Sequence, residues 1–341
     1  MARNESINEL LKHGKFRDAV VRMENDLLDG RTIEMDQLLV LPSSFLAESP
    51  LLSMRLGETY RDCGRLPEAQ KILEIAVKGF ALLSMSAHLL EAMAELVPVQ
   101  LRLGDLSAAE TLAVFLRDEY IKTPAGEKSG RISRALALSS RLLSWEKEAK
   151  ALFQEAVRSF KENGRLDLAC RTIVEAAVLF GSEMSEGEWK EWEWDLGRWT
   201  ARNERFAAPA SCLLQALQME RQGLWVTAYD RLTAMDSHFG LPYDLAAAAE
   251  TLLLRASVRV RPDAVGRSLE RIRKRKDSYP SDLQLQYDLS LAMQEGLSTL
   301  GHREESAKTA EEIKALARLL KWPPPQPSAP PAAAETNPSI R

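Results

Sequence analysis

The sequence has few of the residues from which catalytic and metal centres are usually built. It contains four histidines and three cysteines in 341 residues, and none of them stands in CxxC or HExxH spacing. It also lacks a GxSxG nucleophile turn and a GxxxxGK[ST] phosphate loop. Because each of these motifs supplies a specific chemistry, their absence argues against a hydrolase, a zinc enzyme and a nucleotide-binding protein. We therefore expect no enzymatic activity, no metal and no cofactor.

Further absences limit where the protein resides and what it binds. No stretch approaches eighteen consecutive apolar residues, so we expect no membrane span. Cys63, Cys170 and Cys212 are far apart, which favours buried reduced thiols over disulfides. The formal net charge of −4 gives no overall attraction to nucleic acid or to an anionic membrane. The first residues are polar and lack the apolar core of a secretion signal, so we expect a cytoplasmic protein.

What the sequence does contain is a repeat. Hydrophobic residues make up 45% of the chain and aromatic residues only 6%, which is typical of an all-helical protein. A small turn residue is followed five positions later by alanine in the pairs Gly14 and Ala19, Gly64 and Ala69, Gly104 and Ala109, Ser144 and Ala149, and Gly223 and Ala228. The interval between Gly64, Gly104 and Ser144 is 40 residues, and steps of about this size continue to Gly301. Such a period predicts an array of helix hairpins.

The best-formed repeat lies at residues 51–80 and reads as two helices. Its characteristic residues are Leu56, Gly57 and Tyr60 in the first helix, Gly64 in the turn, and Ala69 and Ala76 in the second helix. Gly57 allows the partner helix to approach closely. At these positions the segment resembles the tetratricopeptide repeat (TPR) family. The resemblance implies an all-α, TPR-like α-solenoid, a right-handed superhelix of about eight helix hairpins with a concave surface.

A longer segment, LPSSFLAESPLLSMRLGETYRDCGRLPEAQKIL, is also similar to the superhelical arm of large LuxR-type regulators of the MalT kind. In that family a Leu-Pro segment and a Pro-Leu-Leu helix open the array. The resemblance covers residues 10–120 by motif and the remainder by period. The chain lacks the nucleotide-binding and DNA-binding domains of those regulators, so it corresponds to their sensor arm alone.

We expect one continuous array over residues 1–322, with the first hairpin, 1–48, set somewhat apart by an irregular link. Ser49 and Pro50 should open the next helix. Residues 323–341 contain seven prolines and should form a disordered Pro/Ala-rich tail. The PPPQP run in this tail is a possible SH3-like or WW-like ligand, although a solvated tail is the simpler interpretation.

The first candidate partner-binding residues are arginines. By the resemblance to TPR arrays, the positions that face the concave groove are held by Arg61, Arg102, Arg131, Arg134 and Arg141. Related arrays hold acidic peptide ends by charge-assisted hydrogen bonds from Lys, Arg and Asn at such places. The Asn positions are not matched in this chain. An exposed basic strip that attracts an acidic segment is one interpretation, and a solvated arginine face is the other.

Two further candidates lie in the second half of the chain. Trp189, Trp192, Leu196 and Trp199 share one helical face and should be core, whereas Trp194 points to the opposite side and is a candidate partner contact. Residues 255–276 carry nine basic residues against two acidic ones, among them Arg271, Arg273 and Arg275. This basic run could contact phosphates, an acidic protein or only solvent. It lacks interleaved aromatic residues for base stacking, so nucleic acid is the less favoured partner.

These observations predict a non-catalytic adaptor or scaffold that binds a protein or peptide along its concave surface. The first alternative is a ligand- or peptide-sensing regulatory module of a transcription or signalling system. The second is a nucleic-acid-associated subunit that uses the basic run. The sequence does not determine the oligomeric state.

Overall fold

The structure, a computed structural model, describes residues 6–28, 33, 35–124, 128–202, 206–235 and 241–322. Every regular element in these ranges is a helix, which confirms the predicted all-α fold. The helices are α1 (Ile7–Lys12), α2 (Phe16–Leu28), α3 (Met35–Leu39), α4 (Ser43–Glu48), α5 (Pro50–Asp62), α6 (Leu66–Leu82), α7 (Ser86–Leu103), α8 (Leu106–Lys122), α9 (Gly130–Leu138), α10 (Glu146–Glu162), α11 (Leu166–Phe180), α12 (Glu186–Ala201), α13 (Ala207–Arg221), α14 (Trp225–Ala234), α15 (Tyr243–Val260), α16 (Val265–Ser278), α17 (Leu283–Thr299) and α18 (Arg303–Leu319). The predicted proline-rich tail at 323–341 lies outside the described residues.

One type of turn joins most of these helices. The helix ends, the next residue but one adopts a positive φ, and the residue after that donates its N–H to the carbonyl five positions back. At Gly64 the φ angle is +77°, and the Arg65 N–H lies 2.8 Å from the Tyr60 carbonyl oxygen. The same positive φ and hydrogen bond occur at Gly14, Ser84, Gly104, Ser144, Gly164, Gly223, Gly301 and Lys321, although Gly104 follows its helix directly and Ser144 stands six residues after the end of α9. This left-handed cap satisfies carbonyls that the helix end leaves free.

The turn spacing shows that the structural interval is half the period found in the sequence. Positive-φ residues stand at Gly64, Ser84 and Gly104, and again at Ser144 and Gly164. Each of these steps is 20 residues, so the turns within a hairpin and between hairpins have the same geometry. The sequence pattern predicted only alternate turns: Ser84 is followed five positions later by Leu89 and so departs from it, whereas Gly164 with Ala169 fits it and was overlooked.

Small residues set the closeness of the helices, as predicted. Ala69 and Ala76 are fully buried on α6, and a Cβ atom at Gly57 would lie 2.5 Å from Leu73 Cγ. Ser49 caps α5, since its side-chain oxygen accepts the Leu52 N–H at 3.3 Å, and Pro50 begins that helix. The prediction for this helix start is therefore confirmed.

The main hydrophobic core extends from α7 to α15. The predicted stripe on α12 belongs to it: Trp189, Trp192, Leu196 and Trp199 are all buried. Burying each of these side chains stabilises the fold by roughly 1.5–3 kcal/mol. The stripe is thus core, as its spacing indicated.

The array curves until its late hairpins contact its early ones. Gly64 lies against the rings of Tyr279 and Tyr243, and Gly104 lies against Leu283. Farther along, the Arg141 guanidinium stands 5.5 Å from the ring centre of Trp322. The turns after α5 and α7 therefore meet the first residues of α15 and α17. These contacts close the inner side of the array at the two turns.

The cysteines differ from the sequence expectation. Cys170 is buried, but Cys63 and Cys212 are only half-buried, and none of the three forms a disulfide within the described residues. The expectation of three buried thiols is correct for Cys170 alone, because Cys63 stands at the C-cap of α5 and Cys212 lies on a half-buried side of α13. None of the described helices combines the length and apolarity that a membrane crossing requires.

We expect Gly57→Leu to destabilise the protein by about 1–3 kcal/mol, because the new side chain collides with Leu73 at a close helix crossing. Thermal and urea unfolding monitored by circular dichroism will measure the change. The matched control is Gly266→Ala on α16, where a Cβ atom would meet nothing within 4 Å. This control should be neutral or slightly stabilising. Equal melting temperatures for Gly57→Leu and wild type would contradict the packing.

Candidate functional site

Four of the five candidate arginines lie in one group of charged side chains on the inner side of the array. We call this group the inner charge network. Its members are Glu58, Arg61, Asp62, Glu95, Arg102, Arg131, Arg134, Arg171, Glu175, Tyr243, Asp244 and Asp282. These residues come from α5, α7, α9, α11 and α15 and from the N-cap of α17. The structure therefore brings together four of the five arginines that the resemblance to TPR arrays singled out.

The first part of the network joins α5, α7 and α9. Glu95 accepts a hydrogen bond from Arg131 at 2.5 Å and also pairs with Arg61. Arg131 additionally pairs with Glu58. Arg61 is 1% exposed and Glu95 is 1% exposed, so both ions are removed from water. Each of these charges depends on its partner for compensation.

The second part centres on Arg134, Glu175 and Arg171. Arg134 donates two hydrogen bonds to Glu175, from Nε at 2.7 Å and from Nη2 at 2.6 Å. Arg171 donates to the same carboxylate at 2.8 Å. This two-pronged geometry is the strongest form of arginine–carboxylate contact. It fixes the rotation of α9 relative to α11.

The third part connects sequence positions that are far apart. Arg102 donates from Nη2 to Asp244 at 2.6 Å, and from Nη1 to Asp282 at 2.9 Å and to the Tyr243 hydroxyl at 2.8 Å. The Tyr243 hydroxyl donates to the same Asp282 oxygen at 2.5 Å, and Arg171 donates to Asp244 at 2.7 Å. Asp282 also caps α17 through the Leu285 N–H. Ionic contacts thus join the early and late hairpins, in addition to the packing at Gly64 and Gly104.

The arginines keep the inner carboxyl groups ionised. Burial alone would raise the pKa of the Glu175 carboxyl, but the charges of Arg134 and Arg171 outweigh it and lower that pKa below its ordinary value. Burial likewise opposes ionisation of Glu58, and Arg131 and Arg55 overcome it, so the pKa of Glu58 is also lowered. Burial raises the pKa of the Tyr243 hydroxyl, which stays protonated and can donate to Asp282.

The expectation of an exposed basic strip is wrong for Arg61, Arg131 and Arg134. All three are buried, and Arg102 is mostly buried, because carboxylates on neighbouring inner helices neutralise them. The sequence reasoning did not consider these carboxylates as partners. A signal was present: Glu95 and Glu175 each interrupt an otherwise apolar stretch, in AELVPVQ and TIVEAAV. A lone charge within a buried helical face requires an opposite charge nearby.

The other candidates are not brought together with this network. Arg141 is exposed and contacts Trp322. Trp194 is 68% exposed on the outer face of α12. In the basic run, Arg273 pairs with Glu305 at 2.5 Å, and Arg275 binds Glu250 through two hydrogen bonds. Arg271 is exposed and makes no ion pair within the described part of the chain. The basic run is therefore largely neutralised by its own neighbours.

Comparison with known proteins yields one kind of likeness. No protein-family model matches the chain, and a search of curated proteins finds no match. Among solved structures the chain is similar to the TPR domain of P58(IPK), at 15% sequence identity and a TM-score of 0.24, over 92% of this chain and 96% of that one. The assignment of a helical-hairpin array rests on the helix packing described above. The closer resemblance to MalT-type arms stays a prediction. In the described ranges, no group of three or more His, Cys, Asp and Glu side chains is placed to hold a metal ion.

Arg134→Ala should lower the free energy of unfolding by about 3–5 kcal/mol, because it leaves part of the charge of Glu175 buried without its partner. Chemical denaturation measures this loss. Exposed Arg141→Ala is the matched control and should cost less than about 1 kcal/mol. Replacing both partners, in Arg134→Met with Glu175→Leu, should cost less than Arg134→Ala alone. Similar losses for Arg134→Ala and Arg141→Ala would contradict the buried network.

The inner carboxyl groups also predict acid sensitivity. Their pKa values are lower in the folded than in the unfolded chain. Their contribution to the free energy of unfolding is therefore complete at pH values above the pKa of a glutamate in the unfolded chain, about 4.3, and it declines as the pH falls below that value. The difference in unfolding free energy between wild type and Glu175→Gln should therefore shrink from pH 6 towards pH 3. Denaturation at several pH values measures this difference. For the control Glu304→Gln, at an exposed position, the difference from wild type should change little with pH. A constant difference for Glu175→Gln would contradict the ionic role of Glu175.

Proposed function

We propose that the protein is a cytoplasmic, non-catalytic interaction scaffold that engages a partner protein through its outer surface and edges. The observation that supports this most is the contrast between the two sides of the array. On the inner side four of the five candidate arginines bind carboxylates, so the concave partner site expected from the sequence is largely neutralised. Exposed apolar side chains are found elsewhere, and they offer the contacts that a scaffold needs.

The turn between α6 and α7 carries three exposed apolar side chains, among them the most exposed one in the described part of the chain. Leu82 is 86% exposed, Leu83 59% and Met85 39%. The turn itself does not require them, because the matching positions before Gly64 hold Asp62 and Cys63. Exposing large apolar side chains to water is unfavourable, and the free energy falls when a partner covers them.

A fourth side chain extends this surface. Ile121, near the end of α8, is 62% exposed. Helices joined by short turns run antiparallel, so α6 and α8 end at the same edge of the array. We define the edge surface as Leu82, Leu83, Met85 and Ile121. Its composition suits a partner that presents apolar anchors rather than an acidic peptide.

The two alternative functions have weaker support. A regulatory module is favoured by the ionic contact between early and late hairpins, because a ligand that separated them would change the shape of the array. Nucleic-acid binding depends on the free part of the basic run, which consists of Arg267, Arg271 and Lys274 on one face of α16. Exposed Glu270 and Asp277 stand beside these cations and weaken attraction to phosphates.

Leu82→Ser combined with Leu83→Ser should abolish partner capture while leaving helical content and melting temperature nearly unchanged, since both side chains are exposed. Affinity capture from the native cell with quantitative mass spectrometry compares this variant with wild type. The matched control reverses charge on α16, in Arg267→Glu, Arg271→Glu and Lys274→Glu, and should keep the same partners. If the α16 variant loses its partners and the edge variant keeps them, the scaffold proposal in this form is wrong.

A further inference from the structure

The outer face of α12 has an unusual surface. Trp194 is 68% exposed, whereas the other three tryptophans of the helix are buried. The side chains that share its face at helical spacing are exposed as well: Gly187, Lys190, Glu191, Gly197, Arg198 and Ala201. This face is independent of the edge surface and of the inner charge network. Trp194 therefore protrudes from a face made of small and charged residues.

The immediate neighbours of Trp194 form a recess and two charges. Gly197, one turn after Trp194, has no atom within 4 Å of the place a Cβ would occupy, so the surface there is open. Glu191 lies one turn before the tryptophan and Arg198 one turn after it. Within the described residues Arg198 makes no ion pair. Glu191 is 66% exposed and is loosely paired, at 3.8 Å, with Lys161 Nζ, which binds Asp195 more closely.

Two copies of α12 that run in opposite directions bring opposite charges together along this face. In an antiparallel pair, the acid before Trp194 faces the base after it, and the arrangement holds twice because a two-fold axis relates the copies. The Trp194 ring then covers Gly197 of the other helix. Lys190 comes opposite Ala201, so no like charges are forced together. A parallel pair would instead place Glu191 beside Glu191 and Arg198 beside Arg198.

We propose that α12 is a dimer contact, in which two copies of this chain pair their α12 helices antiparallel, with Trp194 of each over Gly197 of the other and Glu191 opposite Arg198. The occupant is a second copy, because the charges on this face match their own reverse. A tryptophan at the centre of a small contact is a typical binding hot spot. One helix pair on a convex surface buries little area, so the dimer is weak, with a Kd of about 10–100 µM.

Sedimentation equilibrium of the full chain from about 1 to 300 µM tests the proposal. Wild type should show a monomer–dimer equilibrium, and Trp194→Ala should raise the Kd at least about tenfold. The control is Val226→Ala on α14, which removes a comparably exposed apolar side chain elsewhere and should leave the Kd unchanged. Circular dichroism confirms that each variant is folded. A wild type that remains monomeric to 300 µM overturns the proposal, as does a dimer indifferent to Trp194→Ala.

A charge exchange tests the register. Glu191→Arg alone and Arg198→Glu alone each place like charges together and should weaken self-association. An equimolar mixture of the two variants restores both opposite-charge pairs and should associate about as tightly as wild type. The double variant, Glu191→Arg with Arg198→Glu, should likewise dimerise on its own. If the mixture associates no better than either variant alone, the antiparallel α12 pairing is wrong.

Discussion

The fold depends on the mutual neutralisation of buried ions. A guanidinium or carboxylate group inside a protein costs several kcal/mol to desolvate unless an opposite charge with good geometry compensates it. Arg102, Arg134 and Arg171 each bind carboxylates on other helices, so none can be moved without uncovering a charge. The apolar core allows many small adjustments of helix packing. The ion pairs allow very few, and they determine how the hairpins are oriented.

This constraint explains the closed inner side. Asp244 accepts hydrogen bonds from both Arg102 and Arg171, so α7, α11 and α15 must meet at one point. Asp282 holds Arg102 and caps α17, which ties the start of a late helix to the end of an early one. Glycines at the two turns make the approach possible, because side chains at Gly64 and Gly104 would collide with Tyr279 and Leu283. Charge and shape thus favour the same curvature.

Local spacing was sufficient to predict the hairpins, the close approach at Gly57 and the buried tryptophan stripe on α12, since these depend on residues a few positions apart. It also placed Arg131 and Arg134 on one face of the same helix. Their burial could not be predicted in the same way, because it depends on carboxylates on other helices. For Arg102 the partners stand about 140 and 180 positions away. The turn at Ser84 was missed because the expected pattern does not extend to it.

The contacts between early and late hairpins affect how the molecule unfolds. In an open helical array each repeat touches only its neighbours, so the ends can fray and stability adds up unit by unit. Here Arg171 binds Asp62, 109 positions earlier, and Arg102 binds Asp282, 180 positions later. Separating α5 and α7 from α11, α15 and the start of α17 would leave these ions unpaired. We therefore expect unfolding to be a single cooperative event over these hairpins, and folding to be complete only when the late helices are available.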